Sequence, residues 1–517
     1  MTRPAASRAR CGAAEAAAWT AVAVCASLVM LWAPVGGLCI ANDDIKFVRG
    51  PGRDMPLLEA LSDAWRSQPI FRPLEIIVGH LSDPVTLECT WAMVVQGAGL
   101  LALLAGVRAL CVQAMPGHRL AHPVVQLLVL LSPATTVSVW QMDACSQTWT
   151  AALGVWSAAL AWRWIGSGSA GARPAWCLLA LSATMAAGLL IKENFYGWSL
   201  GLGVACTAAV VWLGRRGWRA ASGASLALLP VVGLTALHLA LRIWSSALLG
   251  TLSGDGESRY RAEFGSNLLT NAMASLGAAV GTGPFHAIGD VDSGVALRLM
   301  SLVSIALVAA LIMFGLGIGL MESARPGVRW RALAFASTAC ILSLSATVPM
   351  GSVSELYGCG ANVGCAMLAV AGALALWHAG SRHAILRAAV AGALGLVLCI
   401  GTYGLASRAH HFGVVWSATR ALNESIVGFQ STLAPLANGS SAPAGIVHAP
   451  TECLRGFTHS QYVMPPLQAL DVPLMEEWLR RRDPSRPVAF SIGTAPSAPR
   501  PNELVLDCAA LPQHGHW

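Results

Sequence analysis

The residues best suited to chemistry begin just after the first long apolar run of the sequence. Asp43 and Asp44 stand side by side there, and Arg72 follows in the segment Phe-Arg-Pro-Leu, shortly before the next apolar run. A carboxylate can take a proton from a hydroxyl group, and a guanidinium can hold two phosphate oxygens at once. The pattern therefore suits a substrate with hydroxyls at one end and phosphates at the other. The alternative is a loop whose charges lie in water.

Three further ionisable residues stand at the ends of apolar runs. Asp143 lies in the short segment Trp-Gln-Met-Asp-Ala-Cys, and Lys192 with Glu193 ends a later apolar run. Ionisable groups at such positions are costly to bury, and they are usually functional. Each alone could instead reach the membrane surface or make an ion pair. Their meeting on one face, predicted below, favours the functional interpretation.

Metal binding is suggested at one place. Asp290 and Asp292 form an Asp-x-Asp pair, which can hold a divalent metal together with a phosphate. The favoured alternative is a Gly-rich turn, where Asp is common. The 14 cysteines show no spacing typical of zinc ligands. The sequence leaves a divalent metal open and predicts no other cofactor.

Composition sets the class of protein. The chain has 517 residues, of which 55% are hydrophobic and only 11% charged, and its mean hydropathy is +0.59. A soluble domain carries roughly 25% charged residues, so the sequence predicts an all-α polytopic membrane protein. The formal net charge of +7 comes from basic residues scattered through short loops. This distribution does not favour a nucleic-acid partner.

Apolar runs of membrane-crossing length predict about eleven transmembrane helices. A spanning helix needs about 20 apolar residues. The run after the basic N-terminus is too long for the core of a signal peptide, so it is counted as an uncleaved first span. The predicted spans lie near 17–40, 85–107, 121–140, 145–164, 175–191, 195–213, 223–249, 298–320, 331–349, 360–378 and 384–405.

Basic residues in the short loops predict the orientation. With the N-terminus in the cytoplasm, arginines fall in every cytoplasmic loop, whereas the short outer loops near Asp143 and Glu355 hold none. The loops at 41–84 and 250–297 and the tail from 407 then lie in the periplasm of a bacterial inner membrane. This topology brings Asp43, Arg72 and Lys192 to the same outer face.

Short elements are predicted outside the membrane. The spacing of Leu57, Leu61 and Trp65 predicts an amphipathic helix in the first outer loop, lying in the membrane interface or packed without lipid contact. The tail gains Pro, Asn and Ser, and it shows a helix over Pro473–Arg482 and strands over Val488–Ile492 and Glu503–Cys508.

Two domains follow from this change of composition. Residues 1–406 form the transmembrane domain, and residues 407–517 form a small extracytoplasmic α/β domain. Cys453 and Cys508 both lie in the second domain. In an oxidising compartment they could form a disulfide. The alternative is two buried thiols.

A series of short motifs in the first half of the chain has a familiar order. They are Asp43-Asp44 after the first span, the aromatic-Arg-Pro-Leu around Arg72, His122-Pro123 opening the third span, Asp143 in the next turn, and Lys192-Glu193 after the fifth span. This order resembles the GT-C superfamily of polyprenyl-phosphate-sugar-dependent glycosyltransferases, above all its protein O-mannosyltransferase and transmembrane-TPR mannosyltransferase branches. The likeness covers roughly residues 20–215. The tail departs from the second branch, because it contains no TPR repeats.

The resemblance implies a GT-C-like fold and an inverting transfer from an undecaprenyl-phosphate-linked sugar. Asp43 or Asp44 would be the catalytic base, and Arg72 and Lys192 would hold the donor phosphate. Glu193, which could orient Lys192 or a sugar hydroxyl, and Asp143 would support them. The acceptor would be an envelope glycan such as lipopolysaccharide, a lipid or a protein, on the periplasmic face.

Other functions remain open. An O-antigen polymerase or ligase also acts on lipid-linked glycans outside the membrane. A lipid-linked-glycan transporter or flippase would instead need ionisable residues near the bilayer midplane and broken helices. A structural envelope protein would not need cations facing an acidic pair.

Overall fold

The computed structural model shows a bundle of apolar helices with a small sheet near its C-terminus. The residues that it describes are 5–35, 45–67, 71–88, 90–140, 145–167, 174–215, 217–245, 265, 267–282, 295–321, 328–349, 355–380, 383–436, 443–454, 470–493, 496 and 498–508.

The described chain is mainly α-helical, as the sequence predicts. The helices are α1 Ala5–Val35, α2 Ile45–Arg49, α3 Leu57–Ser67, α4 Pro73–Leu81, α5 Thr90–Ala114, α6 Ala121–Leu131, α7 Pro133–Trp140, α8 Cys145–Ser167, α9 Ala175–Ile191, α10 Phe195–Gly214, α11 Trp218–Ser225, α12 Leu234–Trp244, α13 Asn267–Val280, α14 Val295–Met321, α15 Trp330–Leu342, α16 Cys359–Ala379, α17 Ala384–Thr432 and α18 Val472–Arg482. A π-helical turn, Leu229–Gly233, joins α11 to α12.

Seven helices among the described residues are long and apolar enough to cross a membrane, or eight if the bent pair α6 and α7 is one span. Three shorter apolar helices cover Ala175–Ile191, Leu268–Val280 and Trp330–Ala346. The polytopic helical class is therefore confirmed, whereas the count of eleven stays a prediction. The seven cover Gly12–Leu31, Thr90–Ala114, Phe195–Gly214, Ala220–Trp244, Arg298–Ile318, Cys359–Ala379 and Ala384–Thr432.

Helices α5 and α8 pack closely through tryptophans. Trp149 and Trp156, two turns apart on α8, donate their indole N–H groups to the carbonyl oxygens of Val95 and Ala102 on α5, each at 2.9 Å. Gly99 makes the approach possible, because a Cβ there would come within 3.1 Å of the Trp149 ring nitrogen. The pairing fixes α8, whose first turn lies beside the candidate site described below.

The predicted third span is broken. Its two halves, α6 and α7, meet at an angle of 60°. Pro133 opens α7, and the ring of a proline disfavours the helical conformation in the residue before it. Ser132 accordingly adopts an extended backbone, with φ −65° and ψ 137°. The Ser132-Pro133 dipeptide therefore causes the bend.

The first loop folds into short helices rather than an extended connection. The amphipathic helix predicted around Leu57 and Trp65 is confirmed as α3. Arg49 fastens the preceding helix α2, because its guanidinium donates to the carbonyl oxygen of Pro84 at 2.8 Å and to Oδ1 of Asn423 at 2.6 Å. It also stacks 3.9 Å from the ring centroid of Trp478. The loop is thus tied to both α17 and α18.

The tail contains a three-stranded parallel sheet of order β2-β1-β3. The strands are β1 Gly445–Ala449, β2 Val488–Ile492 and β3 Glu503–Val505. β2 agrees with its prediction, whereas β3 ends three residues earlier than predicted. Helix α17 runs unbroken across residue 406, so the change of composition at that point does not end the helix.

The predicted disulfide is confirmed. Cys453 and Cys508 are bonded, with their Cα atoms 5.2 Å apart. Cys453 lies just after β1 and Cys508 just after β3, so the bond joins the chain beyond two neighbouring strands.

Candidate functional site

The sequence-predicted site residues divide into two groups. Arg72, Lys192 and Glu193 lie in the described part of the chain. Asp43, Asp44, Asp143, Asp290 and Asp292 lie outside the described residues, so their predicted roles stay predictions.

Arg72 and Lys192 are held at helix boundaries. Arg72 directly precedes α4, whose first residue is Pro73, and Lys192 directly follows α9. Each side chain is only 6% exposed. Burying two cations is costly unless nearby groups compensate their charge. The groups around Arg72 and Lys192 therefore determine which ligand this site can bind.

A carboxylate that sequence reasoning missed lies between them. Glu75, in the first turn of α4, is fully buried, and its Oε1 accepts a hydrogen bond of 2.5 Å from the Ser146 hydroxyl. Burial raises the pKa of Glu75 above its ordinary value, and the positive charges of Lys192 and Arg72 act in the opposite direction. Both cations therefore lie within electrostatic range of one carboxylate. The available signal was helical spacing, since Arg72 and Glu75 stand one turn apart.

Glu193 has partners other than the one predicted. Its Oε1 accepts a hydrogen bond of 2.6 Å from the backbone N–H of Phe71 and lies 3.5 Å from Nη2 of Arg242. Glu193 thus contacts Phe71 and Arg242. That Glu193 orients Lys192 or a sugar hydroxyl stays a prediction. Burial raises the pKa of Glu193, while the Phe71 N–H and the charges of Arg242 and Arg72 oppose that effect.

Arg242 is the second residue that sequence reasoning missed. It is fully buried near the end of α12, donates from Nη1 to the carbonyl oxygen of Trp65 at 2.6 Å, and stacks 4.8 Å from the Trp65 ring centroid. The signal available in the sequence was its position, because it is an arginine inside a predicted span. Arg242 joins α12 to the end of α3.

Aromatic rings line one side of these charges. Trp65 packs edge-on against Phe71, with centroids 5.2 Å apart, and against His238 at 5.7 Å. The Tyr196 hydroxyl lies 2.8 Å from Nδ1 of His238. Apolar ring surface next to charged groups lowers the local dielectric constant, which strengthens electrostatic interactions.

These residues form a single charged cluster, defined here as Arg72, Glu75, Lys192, Glu193 and Arg242. Arg72 links its two halves, because it acts electrostatically on both Glu75 and Glu193. Counted over these five described residues alone, three cations stand with two carboxylates, and burial favours protonation of Glu75. Buried Arg and Lys donors suit an anion such as phosphate.

An apolar groove begins beside the cluster. It has a volume of 790 Å³ and lies between α10, with Tyr196, Leu200 and Val204, and the π-helical turn with α12, which contribute Val232 and Leu239. Tyr196 stands one turn of chain after Glu193, so the groove opens next to the charged residues.

A comparison with solved structures finds a likeness in fold. No protein-family model matches the chain, and no curated protein matches it in sequence. The chain is similar to the crystal structure of ArnT from Cupriavidus metallidurans bound to undecaprenyl phosphate, at 13% sequence identity and a TM-score of 0.48. The likeness covers 91% of this chain and 89% of that chain.

Metal binding finds no support in the described part of the chain. Within those residues, no group of three or more His, Cys, Asp or Glu side chains is placed to hold a metal ion.

Proposed function

We propose that the protein is an integral membrane glycosyltransferase. It moves a sugar from an undecaprenyl-phosphate donor to an envelope glycan, lipid or protein on the periplasmic face of a bacterial inner membrane. The observation that carries the proposal is the burial of Arg72 and Lys192 around Glu75 at one end of an apolar helical bundle. A lipid-linked phosphate needs a binding site that offers cations to its headgroup and apolar surface to its tail.

The chemistry is a single displacement. An acceptor hydroxyl oxygen forms a bond to the anomeric carbon of the sugar, and the bond between that carbon and the phosphate oxygen breaks. The departing phosphate keeps the bonding electron pair, so negative charge grows on it in the transition state. Arg72 and Lys192 stabilise that charge, as fixed cations do in other transfer reactions. Attack from the opposite face inverts the anomeric configuration.

The acceptor proton goes to a carboxylate. Asp43 or Asp44 takes that role, as the family resemblance implies, and the pair directly precedes α2 in the sequence. Arg49 fixes α2 against the rest of the protein.

The donor tail lies in the apolar groove. Its walls on α10 and α12 offer apolar side chains to an isoprenoid, and its end at Tyr196 meets the charged cluster. The phosphate then reaches Arg72 and Lys192 while the tail stays against apolar surface. Burying each CH₂ group of the tail contributes about 0.8 kcal/mol.

Envelope glycan analysis of a deletion strain tests the proposal. The strain should lack one sugar, which a plasmid with the natural sequence restores and a plasmid with Lys192→Ala does not, at equal protein levels. An unchanged glycan profile in the deletion strain would contradict a transferase function.

A lipid-linked-glycan transporter is the second candidate, and the 60° break between α6 and α7 is the observation that favours it. Broken helices are a feature of transporter sites. Proteoliposomes loaded with donor separate the two functions. A transporter moves the donor across the bilayer intact, whereas a transferase with acceptor present releases undecaprenyl phosphate.

A further inference from the structure

A second charged site lies at the opposite end of the same helices. It is a cavity of 1220 Å³ between the C-terminal ends of α5, α8 and α10 and the first turns of α11 and α15. The proposed function leaves this cavity without a role.

Four arginines line the cavity. Arg108 and Arg163 stand near the ends of α5 and α8, and Arg329 and Arg331 stand at the start of α15. All four side chains are exposed. Within the described part of the chain, none of them forms an ion pair with a carboxylate. Their charges add to one positive field inside a concave surface.

Tryptophans hold three of these arginines in place. Arg331 stacks 3.8 Å from the ring centroid of Trp212, a residue that also lines the cavity. Arg163 stacks on Trp176 at 4.9 Å, and Arg108 stacks on Trp19 at 5.0 Å. Stacking uses the face of a guanidinium and leaves its N–H edge for hydrogen bonds to an anion. The arginines are therefore ordered before a ligand arrives.

The remaining walls are mainly apolar, with Gln113 and Ser167 as polar exceptions. Ala105, Ala109 and Val112 of α5 face Ile165, Leu213 and Val328 across the cavity. An inorganic anion gains nothing from such walls. An amphipathic molecule with a phosphate at one end gains from both surfaces.

The cavity lies about one membrane thickness from the charged cluster. Helix α8 starts with Cys145 and Ser146 beside Glu75 and ends at Ser167 in the cavity wall. Its 23 residues span about 35 Å at 1.5 Å per residue, close to the roughly 30 Å of the hydrocarbon core. Trp162, Trp212 and Trp330 line the cavity, and tryptophan is enriched at the membrane interface. The cavity thus lies at the interface opposite the cluster.

We propose that this cavity binds the headgroup of an anionic membrane phospholipid. The arginines hold the phosphate, and the acyl chains leave along the apolar walls towards the bilayer. Basic pockets between membrane helices bind anionic headgroups in this way. The bound lipid bridges α5, α8, α10 and α15, so it stabilises the bundle at the end away from the charged cluster.

The test is the unfolding midpoint of the full chain in detergent, measured with added phosphatidylglycerol, with phosphatidylcholine and with inorganic phosphate. Phosphatidylglycerol should raise the midpoint in a saturable manner, whereas the other two should not. The double variant Arg163→Gln/Arg331→Gln should need at least tenfold more phosphatidylglycerol for half the effect. The Lys versions of both substitutions should retain part of the response, since they keep the charge.

The matched control removes two arginines from the same end of the bundle outside the cavity, Arg119→Gln/Arg387→Gln. It should respond to phosphatidylglycerol like the natural protein. An equal loss of response in the control would overturn the proposal in favour of general charge attraction. Equal stabilisation by inorganic phosphate or by phosphatidylcholine would also overturn it. If the Gln double variant does not fold, native mass spectrometry of the natural protein and of the Lys double variant replaces it. Both should retain phosphatidylglycerol. Absence of bound phosphatidylglycerol from the natural protein would contradict the proposal.

Discussion

The Ser146 hydroxyl donates a hydrogen bond of 2.5 Å to the buried carboxylate of Glu75. The contact joins the first turn of α8, a helix of the central bundle, to the first turn of α4 in the loop region. It connects the part of the chain that forms the scaffold with the part that carries Arg72.

Replacing Ser146 by Ala should destabilise the protein. The substitution leaves a buried carboxylate oxygen without its donor, which costs about 1–3 kcal/mol. Ser67→Ala is the matched control, because Ser67 makes its hydrogen bonds on the exposed surface of α3. The unfolding midpoint in detergent should fall for the first variant and stay constant for the second. Equal midpoints would show that the Ser146 contact carries little energy.

The pH dependence of stability should reveal Glu75. Because burial raises its folded pKa above the unfolded value, the folded state holds the proton more tightly. The resulting stabilisation is full below the unfolded pKa and is lost as pH rises through the folded pKa. Glu75→Gln cannot ionise, so its stability should not show this loss.

The difference between the two proteins should therefore change with pH by up to about 1.4 kcal/mol per unit above the ordinary carboxyl range. The natural protein loses stability relative to the Glu75→Gln variant as pH rises. Unfolding midpoints at a series of pH values measure the difference. Parallel curves would mean that Glu75 does not ionise differently on folding.

Glu193 and Arg242 should be energetically coupled. Removing one partner takes the countercharge away from the other, and breaking a buried ion pair costs up to about 3–5 kcal/mol. Arg242→Gln and Glu193→Gln should each lower stability, and the double variant should be more stable than the sum of the two effects predicts. Arg242→Lys should retain only part of the stability that Arg242→Gln loses, since lysine keeps the charge but lacks the planar guanidinium. Additive effects in this double-mutant cycle would contradict the coupling.

The catalytic base should be one of two neighbouring aspartates. Asp43→Asn and Asp44→Asn keep the side-chain size and remove the basicity. A general base contributes about 10²- to 10⁴-fold in rate, so one of these variants should lose nearly all transfer at normal protein level. The rate of sugar transfer in proteoliposomes measures this. Full rates in both variants would remove the proposed base from the mechanism.

Local patterns in the sequence predict much of this fold. Helical spacing predicts α3, and the composition of the tail predicts a strand at β2. The oxidising compartment implied by the topology allows the disulfide between Cys453 and Cys508. Each of these features depends on neighbours in sequence or on the compartment, so no tertiary contact is needed to expect it.

The end of α17 shows where such reasoning fails. Hydropathy drops near residue 406, yet no proline follows within the helix, and the backbone continues to Thr432. Composition records where a segment leaves an apolar environment. It does not record where the helical hydrogen bonds stop. The predicted domain boundary therefore falls inside a continuous helix.

The charged cluster was only half predictable. Arg72 and Lys192 stood out because their sequence contexts are apolar and their motifs resemble a family pattern. Glu75 was overlooked because a carboxylate in a loop is expected in water, and its burial depends on Ser146, a residue far away in sequence. Arg242 was overlooked for the same reason, because Glu193 and Trp65 approach it only in the folded protein.

The central claim is that the buried Lys192 binds the donor phosphate. Binding of undecaprenyl phosphate to the purified full chain tests this claim most directly. The chain contains two lysines, and Lys46, which is exposed on α2, provides the matched control. Lys192→Ala should weaken binding at least tenfold, because a buried phosphate loses a cation, and Lys46→Ala should leave binding unchanged. Equal affinity of the Lys192→Ala variant and the natural protein would contradict the account.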